Sequence, residues 1–321
     1  MKDRTALVAV AAAMWGLDGL LRKPLSTALD PATVVLWEHL IVVLVILPMV
    51  PRAVRAFARC GRRDQIAIAA IGIGSSAVAT ALFTKAFQLA ASSGDFIGPL
   101  VIQKLQPLFA LSFAALVLRE RVRPGFLFYA LPALAGSWLL AFPNPLHIQL
   151  AALAVAGLSL GAAALWGVGT VLGRMVSPAL SSRDLTTMRF VWGLAASIAI
   201  VSVQHDAWMP RASNLVGLSL LALVPGLLSL NLYYFALRTT AASRATFAEL
   251  AFPATSAIVG VAFLGSSLSQ SQWIGFAVVV GAITALSLRE QTPDPVIVAS
   301  VDAVTPERVG PSARPVGDPG R

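Results

Sequence analysis

The sequence predicts an all-α integral membrane protein whose ten transmembrane helices form two inverted five-helix repeats. Three observations lead there. Apolar stretches, each long enough to cross the hydrocarbon core as a helix of roughly 20 residues, fill residues 5–288. Residues of the first half recur in the second, with Trp15-Gly16 and Trp166-Gly167 standing 151 positions apart. The cations of the connecting loops change sides between the halves.

Composition excludes most other classes. Hydrophobic residues make up 57% of the chain and charged residues 12%, against about 25% charged in soluble domains. The net charge of +9 is dispersed over short loops, so it reports orientation in a lipid bilayer and not a nucleic-acid partner. A single cysteine, Cys60, forms no intrachain disulfide. No Cys/His cluster offers a metal site, and neither metal nor cofactor is expected. The first apolar run lacks a small-residue cleavage pattern and reads as the first helix, not as a signal peptide.

In order, the spans are 5–21, 32–50, 66–88, 96–118, 124–142, 149–170, 184–203, 214–236, 245–264 and 271–288. Each must be helical, because only intra-segment hydrogen bonds satisfy the backbone where water is absent. Arg22-Lys23-Pro24 closes the first span and Asp30-Pro31 opens the second. The basic run Arg59-Cys60-Gly61-Arg62-Arg63 separates the second from the third, and Arg119-Glu120-Arg121 follows the fourth. Pro143-Asn144-Pro145 marks the boundary between repeats, and Pro178 follows the sixth span. The domains are therefore 1–143, 144–290 and a tail, 291–321. That tail has six prolines, three glycines and no Leu, Phe, Tyr or Trp; it reads as a disordered cytoplasmic extension.

Loop charge fixes the orientation. Lys2, Arg4, the five arginines between spans two and three, Arg119, Arg121, Arg123, Arg174, Arg183, Arg238, Arg244 and Arg289 fall on one side, and only Arg22, Lys23 and Arg211 on the other. The positive-inside rule then puts both termini in the cytoplasm of a multi-pass protein of the cell's inner (plasma) membrane.

The charge pattern also speaks for inversion. Loop 2–3 has five cations where its counterpart 7–8 has one; loop 4–5 has three where 9–10 has none. Loop 3–4 has none where 8–9 has two. An odd number of helices per half forces the second copy to insert upside down. Such repeats are common in secondary transporters, with the substrate site at the repeat interface near the midplane. Further equivalences are Lys23 with Arg174, Glu38 with Arg189, Gln103 with Glu249, Pro107 with Pro253 and Gly136 with Gly281.

The 5+5 layout, the two Trp-Gly pairs, the mid-helix prolines Pro107 and Pro253 and the Arg119-Glu120-Arg121 step together resemble the drug/metabolite transporter superfamily, specifically its EamA-type exporters. The resemblance covers residues 5 to about 290. It implies export of amino acids or related metabolites through a central cavity. The chain departs from the pattern at Glu38, where such repeats often carry Arg, and at Gly265-Ser266-Ser267, which stands where the first repeat has Glu120.

Candidate site residues follow from polarity at depth. Lys104 and Glu249 are ionisable and well inside a span, a position that normally faces water and function. Pro107 and Pro253 free the carbonyls of Gln103 and Glu249; they serve as paired hinges or as plain packing kinks. Trp15 and Trp166 wall the cavity or pack between helices. Asn231 and Tyr234 share one helix face and contact substrate or a neighbouring helix. Arg189 is a cavity cation or snorkels to the interface. Asp18, Glu38, His39 and Lys85 fall toward the outer side, in a solvated vestibule with local ion pairs.

Gly157-Leu158-Ser159-Leu160-Gly161 mimics a hydrolase elbow, and Gly72-Ile73-Gly74-Ser75-Ser76-Ala77 a dinucleotide loop. Neither has the strand it needs, and Gly157 and Gly161 read instead as a small-residue packing face. No nucleophile–base pair converges, so an enzyme is not expected. The expected partner is a small-molecule substrate, with a proton as the candidate coupling ion. The mid-span inventory suits a neutral or aromatic amino acid. Lys104, Gln103 and Gln106 would take its carboxylate, Glu249 or Asn231 its ammonium, and Trp15, Trp166 and Tyr234 its side chain. A cationic drug is the alternative cargo.

Overall fold

The computed structural model describes residues 4–91, 96–117, 125–142, 144, 150–176, 178–237, 248 and 251–290. Among the described residues all regular structure is helical. In chain order the apolar helices are α1 (Thr5–Ala28), α2 (Pro31–Ala58), α3 (Arg62–Ala90), α4 (Ile97–Val117), α5 (Leu127–Leu140), α6 (Leu150–Gly173), α7 (Ser182–Gln204), α8 (Ala212–Tyr233), α9 (Ala251–Phe263) and α10 (Gln270–Leu286). Seven of them are long and apolar enough to cross a membrane, while α5, α9 and α10 are shorter. The chain is a multi-pass membrane protein.

Several helices are broken at residues that explain the break. The first bends at Leu17, whose amide still donates to Ala13 O and Met14 O, and continues as Asp18–Ala28. It does not end at residue 21, so Arg22, Lys23 and Pro24 lie within a helix and not in a loop. The second starts with Pro31 at its first position after an extended Asp30, where a missing amide costs nothing. It passes a 3-10 turn at Leu47–Met49 and runs on to Ala58. Arg52 and Arg55 therefore ride on a helix extension, with Arg52 Nε 3.5 Å from Asp184 Oδ1.

Two helices contain wide π turns: Ile71–Val78 in α3 and Ala222–Leu228 in α8. Pro225 has no amide to donate to the preceding turn, which opens the helix there. In α3 the wide turn spans the small residues of the Gly72–Ala77 run, which permit it. Gly72 lies so close to α7 that an added Cβ would fall 2.9 Å from Arg189 O. In α4 a 3-10 turn at Gln103–Leu105 precedes Pro107.

One apolar core joins α4, α5 and α10 through Val101, Leu105, Ala133, Leu140, Val279 and Leu286. Gly136 makes that packing close: a Cβ there would stand 3.0 Å from Gly275 O. Gly281, the expected counterpart of Gly136, faces open space, as does Gly157. Of the predicted small-residue face only Gly161 approaches a neighbour, with Leu82 Cδ1 3.3 Å from a Cβ built there. The second core is aromatic and brings α1, α3, α4, α6 and α9 together.

Candidate functional site

Each Trp-Gly pair is seated on a proline step. A Cβ on Gly16 would lie 2.9 Å from Phe252 O and one on Gly167 2.9 Å from Gln106 O, the carbonyls just before Pro253 and Pro107. Absence of a side chain at both glycines lets α1 reach α9 and α6 reach α4, and so fixes where the two tryptophans point. Both rings are half-buried and pack against one aromatic cluster that includes Phe83, Phe87, Phe96 and Phe252. Trp15 stacks tilted on Tyr233 with centroids 5.1 Å apart, and Trp166 meets Phe83 edge-on at 5.5 Å.

The polar candidates surround this cluster unevenly. Lys104 Nζ stands 3.9 Å from the centre of the Phe252 ring, a cation–π distance that holds the charge against the aromatic floor. Gln106 Nε2 donates to Thr170 Oγ1 at 3.1 Å, tying α4 to α6. Gln103 is half-buried in the 3-10 turn. Asn231 is exposed, and its amide donates to Leu227 O at 2.8 Å, repairing the π turn of its own helix. Pro253 is buried and Pro107 half-buried. Glu249 lies outside the described residues, and the side chain of Tyr234 is not among those described; Tyr233 is the ring that meets Trp15.

Sequence reasoning missed the most polar feature of the interior. Arg22 is buried, and all five of its N–H groups are spoken for. Nε and Nη2 donate to the two oxygens of Asp18 at 2.6 and 2.8 Å. Nη1 and Nη2 donate to Glu38 at 3.2 and 2.9 Å, and Nη1 also to Thr84 Oγ1 at 2.7 Å. The predicted solvated vestibule is thus a buried ion cluster on three helices. A signal existed: Asp18 and Arg22 are four apart, the spacing of a helical ion pair. His39 is not solvated either; its ring bonds Val35 O at 2.8 Å and Ser76 Oγ at 2.9 Å. Lys85 is exposed and donates to Gln88 Oε1.

The α3 π turn is held from three sides. Ser75 Oγ donates to Leu165 O of α6 at 2.6 Å, and Ser75 O accepts from Arg189 Nη2 of α7 at 3.2 Å. Ser76 meets His39 of α2. Arg189 therefore binds a backbone carbonyl within the bundle instead of snorkelling outward.

The sequence profile of the EamA-like transporter family matches residues 5–142 and again residues 153–288. The chain belongs to the EamA-like transporter family. Among its relatives is the riboflavin transporter ImpX of Fusobacterium nucleatum, 30% identical over 273 residues, which span 83% of this chain and 91% of that one. The uncharacterized transporter YwfM of Bacillus subtilis is 24% identical over 63% of this chain and 67% of its own. A solved crystal structure, 19% identical, superposes on 90% of this EamA-like chain and all of its own with a TM-score of 0.58, a likeness of fold. Trp15 falls within the first family match and Trp166 within the second.

Proposed function

We propose that this EamA-like protein is a secondary transporter that exports planar aromatic metabolites of the flavin class by alternating access. The observation that carries the reading is the aromatic cluster joining residues of both family matches, in which Trp15, Trp166 and Phe83 pack with Phe252, the ring that meets the Lys104 ammonium. A flat heteroaromatic ring can stack on the half-buried faces of Trp15 and Trp166. The carbonyl edge of a flavin would accept from Lys104, Gln103 or Gln106. Identity to a riboflavin transporter over most of both chains supports the same class.

The architecture that serves this reading is ten crossings in two inverted repeats, 1–143 and 144–290, with both termini in the cytoplasm and the chain in the cell's inner membrane. The seven long and three shorter apolar helices are compatible with it. Pro107 and Pro253 act as matched hinges, each preceded by a carbonyl that meets the glycine of a Trp-Gly pair from the other half.

A second reading is export of neutral and aromatic amino acids. It rests on Lys104, a cation able to pair with a carboxylate, with Glu249 taking the ammonium. Proteoliposomes loaded with labelled riboflavin or labelled tryptophan separate the two. Efflux of riboflavin that falls in Lys104→Ala and in Trp166→Ala supports the first; efflux of tryptophan alone, lost in Lys104→Ala together with Glu249→Gln, supports the second. Efflux of neither overturns both.

A further inference from the structure

The ion cluster at Arg22 carries one positive and two negative groups. With all three ionised its charge is −1, and the side chains of Arg22, Asp18 and Glu38 are only 4%, 17% and 13% exposed. An uncompensated charge this deep among apolar helices is costly. Among the described residues the neighbouring cations have their own partners. Lys23 turns the other way on α1, donating to Leu264 O at 2.8 Å over the Phe96 ring. Lys85 of α3 is exposed and bonds Gln88. On α2, His39 is held by Val35 and Ser76, and Arg189 of α7 by Ser75 O. Among the described residues α8 and α9 carry no charged side chain.

We propose that Glu38 binds the coupling proton of transport, with Arg22 and Asp18 as the fixed pair beside it. This rests on the transporter reading above. The two carboxylates are not equivalent: Asp18 grips the guanidinium at 2.6 and 2.8 Å, Glu38 at 2.9 and 3.2 Å. Glu38 is the looser partner and takes the proton, forming one O–H bond and bringing the cluster from −1 to zero. Release of the same proton on the other side of the membrane restores the charge. A sodium ion would need several free oxygens, yet four carboxylate oxygens already accept from Arg22, and Thr84 Oγ1 accepts from Arg22 and donates to Thr80 O. The site is also one-sided. At the 151 offset Asp18, Arg22 and Glu38 correspond to Gly169, Gly173 and Arg189, so these positions do not repeat the cluster.

The test uses the full chain in proteoliposomes with labelled riboflavin. Exchange of labelled for unlabelled riboflavin at equal pH reads transport without coupling; accumulation under an imposed pH gradient reads coupling. Wild type does both. Glu38→Gln keeps exchange and loses gradient-driven accumulation, and Glu38→Asp restores it. Where Glu38→Gln does not insert, Asp18→Asn neutralises the same cluster and is read in the same way. Wild-type exchange indifferent to the pH gradient, or driven by a sodium gradient, overturns the proton site, as does accumulation that survives Glu38→Gln. Absence of riboflavin exchange overturns the flavin reading instead. The proton is then followed without any cargo, by infrared difference spectra of the purified protein between acid and neutral pH. A protonated-carboxyl band present in wild type and missing in Glu38→Gln upholds the site, and an identical band in both overturns it.

Discussion

Gly16 and Gly167 stand against the same kind of backbone atom in opposite halves: a Cβ on either would be 2.9 Å from the carbonyl that precedes a proline. The contact is crossed, since the glycine of the first half meets Phe252 of the second and the glycine of the second meets Gln106 of the first. Gly16→Ala and Gly167→Ala should each destabilise the protein by about 1–3 kcal/mol through overpacking. Gly157→Ala, with open space around it, should gain up to about 1 kcal/mol from helix propensity. Thermal unfolding in detergent checks all three, and equal midpoints for the first two variants and wild type would remove the crossed contact from the account of assembly.

If Pro107 and Pro253 are hinges at those contacts, replacing either by Ala straightens its helix and favours one conformation. A bias of about 1.4 kcal/mol changes the equilibrium tenfold. Riboflavin or tryptophan efflux should slow while the amount of inserted protein stays the same. Unchanged efflux in the double substitution would reduce both prolines to packing.

Arg22→Leu should be far more damaging than Glu38→Gln. The first leaves two buried carboxylates without their cation, a change that costs about 3–5 kcal/mol. The second leaves the Asp18–Arg22 pair intact and neutral. Yield of folded protein from membranes, compared by size-exclusion profile, should drop sharply only for Arg22→Leu.

Cys60 is the one cysteine of the sequence and lies between α2 and α3. Topology with both termini inside puts it in the cytoplasm, where a membrane-impermeant maleimide reaches it only after permeabilisation. Burial and the nearby Asp64 raise its thiol pKa above the ordinary value, so thiolate is scarce at neutral pH and labelling should accelerate as the medium becomes alkaline. Rapid labelling of intact cells would turn the chain over, and with it the assigned direction of export.

Asp206, in the turn after α7, has its carboxyl raised above the usual range by desolvation and by Asp30, with Lys85 opposing. A raised acid contributes stability below its ordinary pKa and loses it as pH climbs through the raised value. Asp206→Asn should therefore flatten the fall in thermal midpoint as pH rises from the ordinary carboxylate range through the raised value. A variant that tracks wild type across that window would exclude the Asp30–Asp206 repulsion.

Hydropathy located the helices because chain length in hydrocarbon is set by bilayer thickness, a constraint written directly into composition. The Trp-Gly pairs and the prolines were legible for a related reason: they recur at a nearly constant offset. Arg22 was not, because Arg22-Lys23-Pro24 breaks the apolar run, and hydropathy cannot tell a loop cation from one whose charge is met by Asp18 and Glu38. The wide turns were equally hidden. Gly72, Gly74, Pro225 and Gly226 permit them, yet only the contacts of Ser75 and Ser76 with three other helices decide that α3 opens there. Which of Tyr233 and Tyr234 would meet Trp15 depended on the same unseen turn, which rotates everything after it.

The two wide turns begin 151 residues apart, at Ile71 and Ala222, and end 150 apart, at Val78 and Leu228. One turn is thus a residue shorter than the other, and beyond it Phe83 and Tyr233, again 150 apart, each reach the tryptophan of the opposite half. A turn already wound loosely accommodates an inserted or deleted residue locally, where a tight helix would pass the error to its whole remaining length. These segments are therefore places where an engineer can change the length of the chain by one.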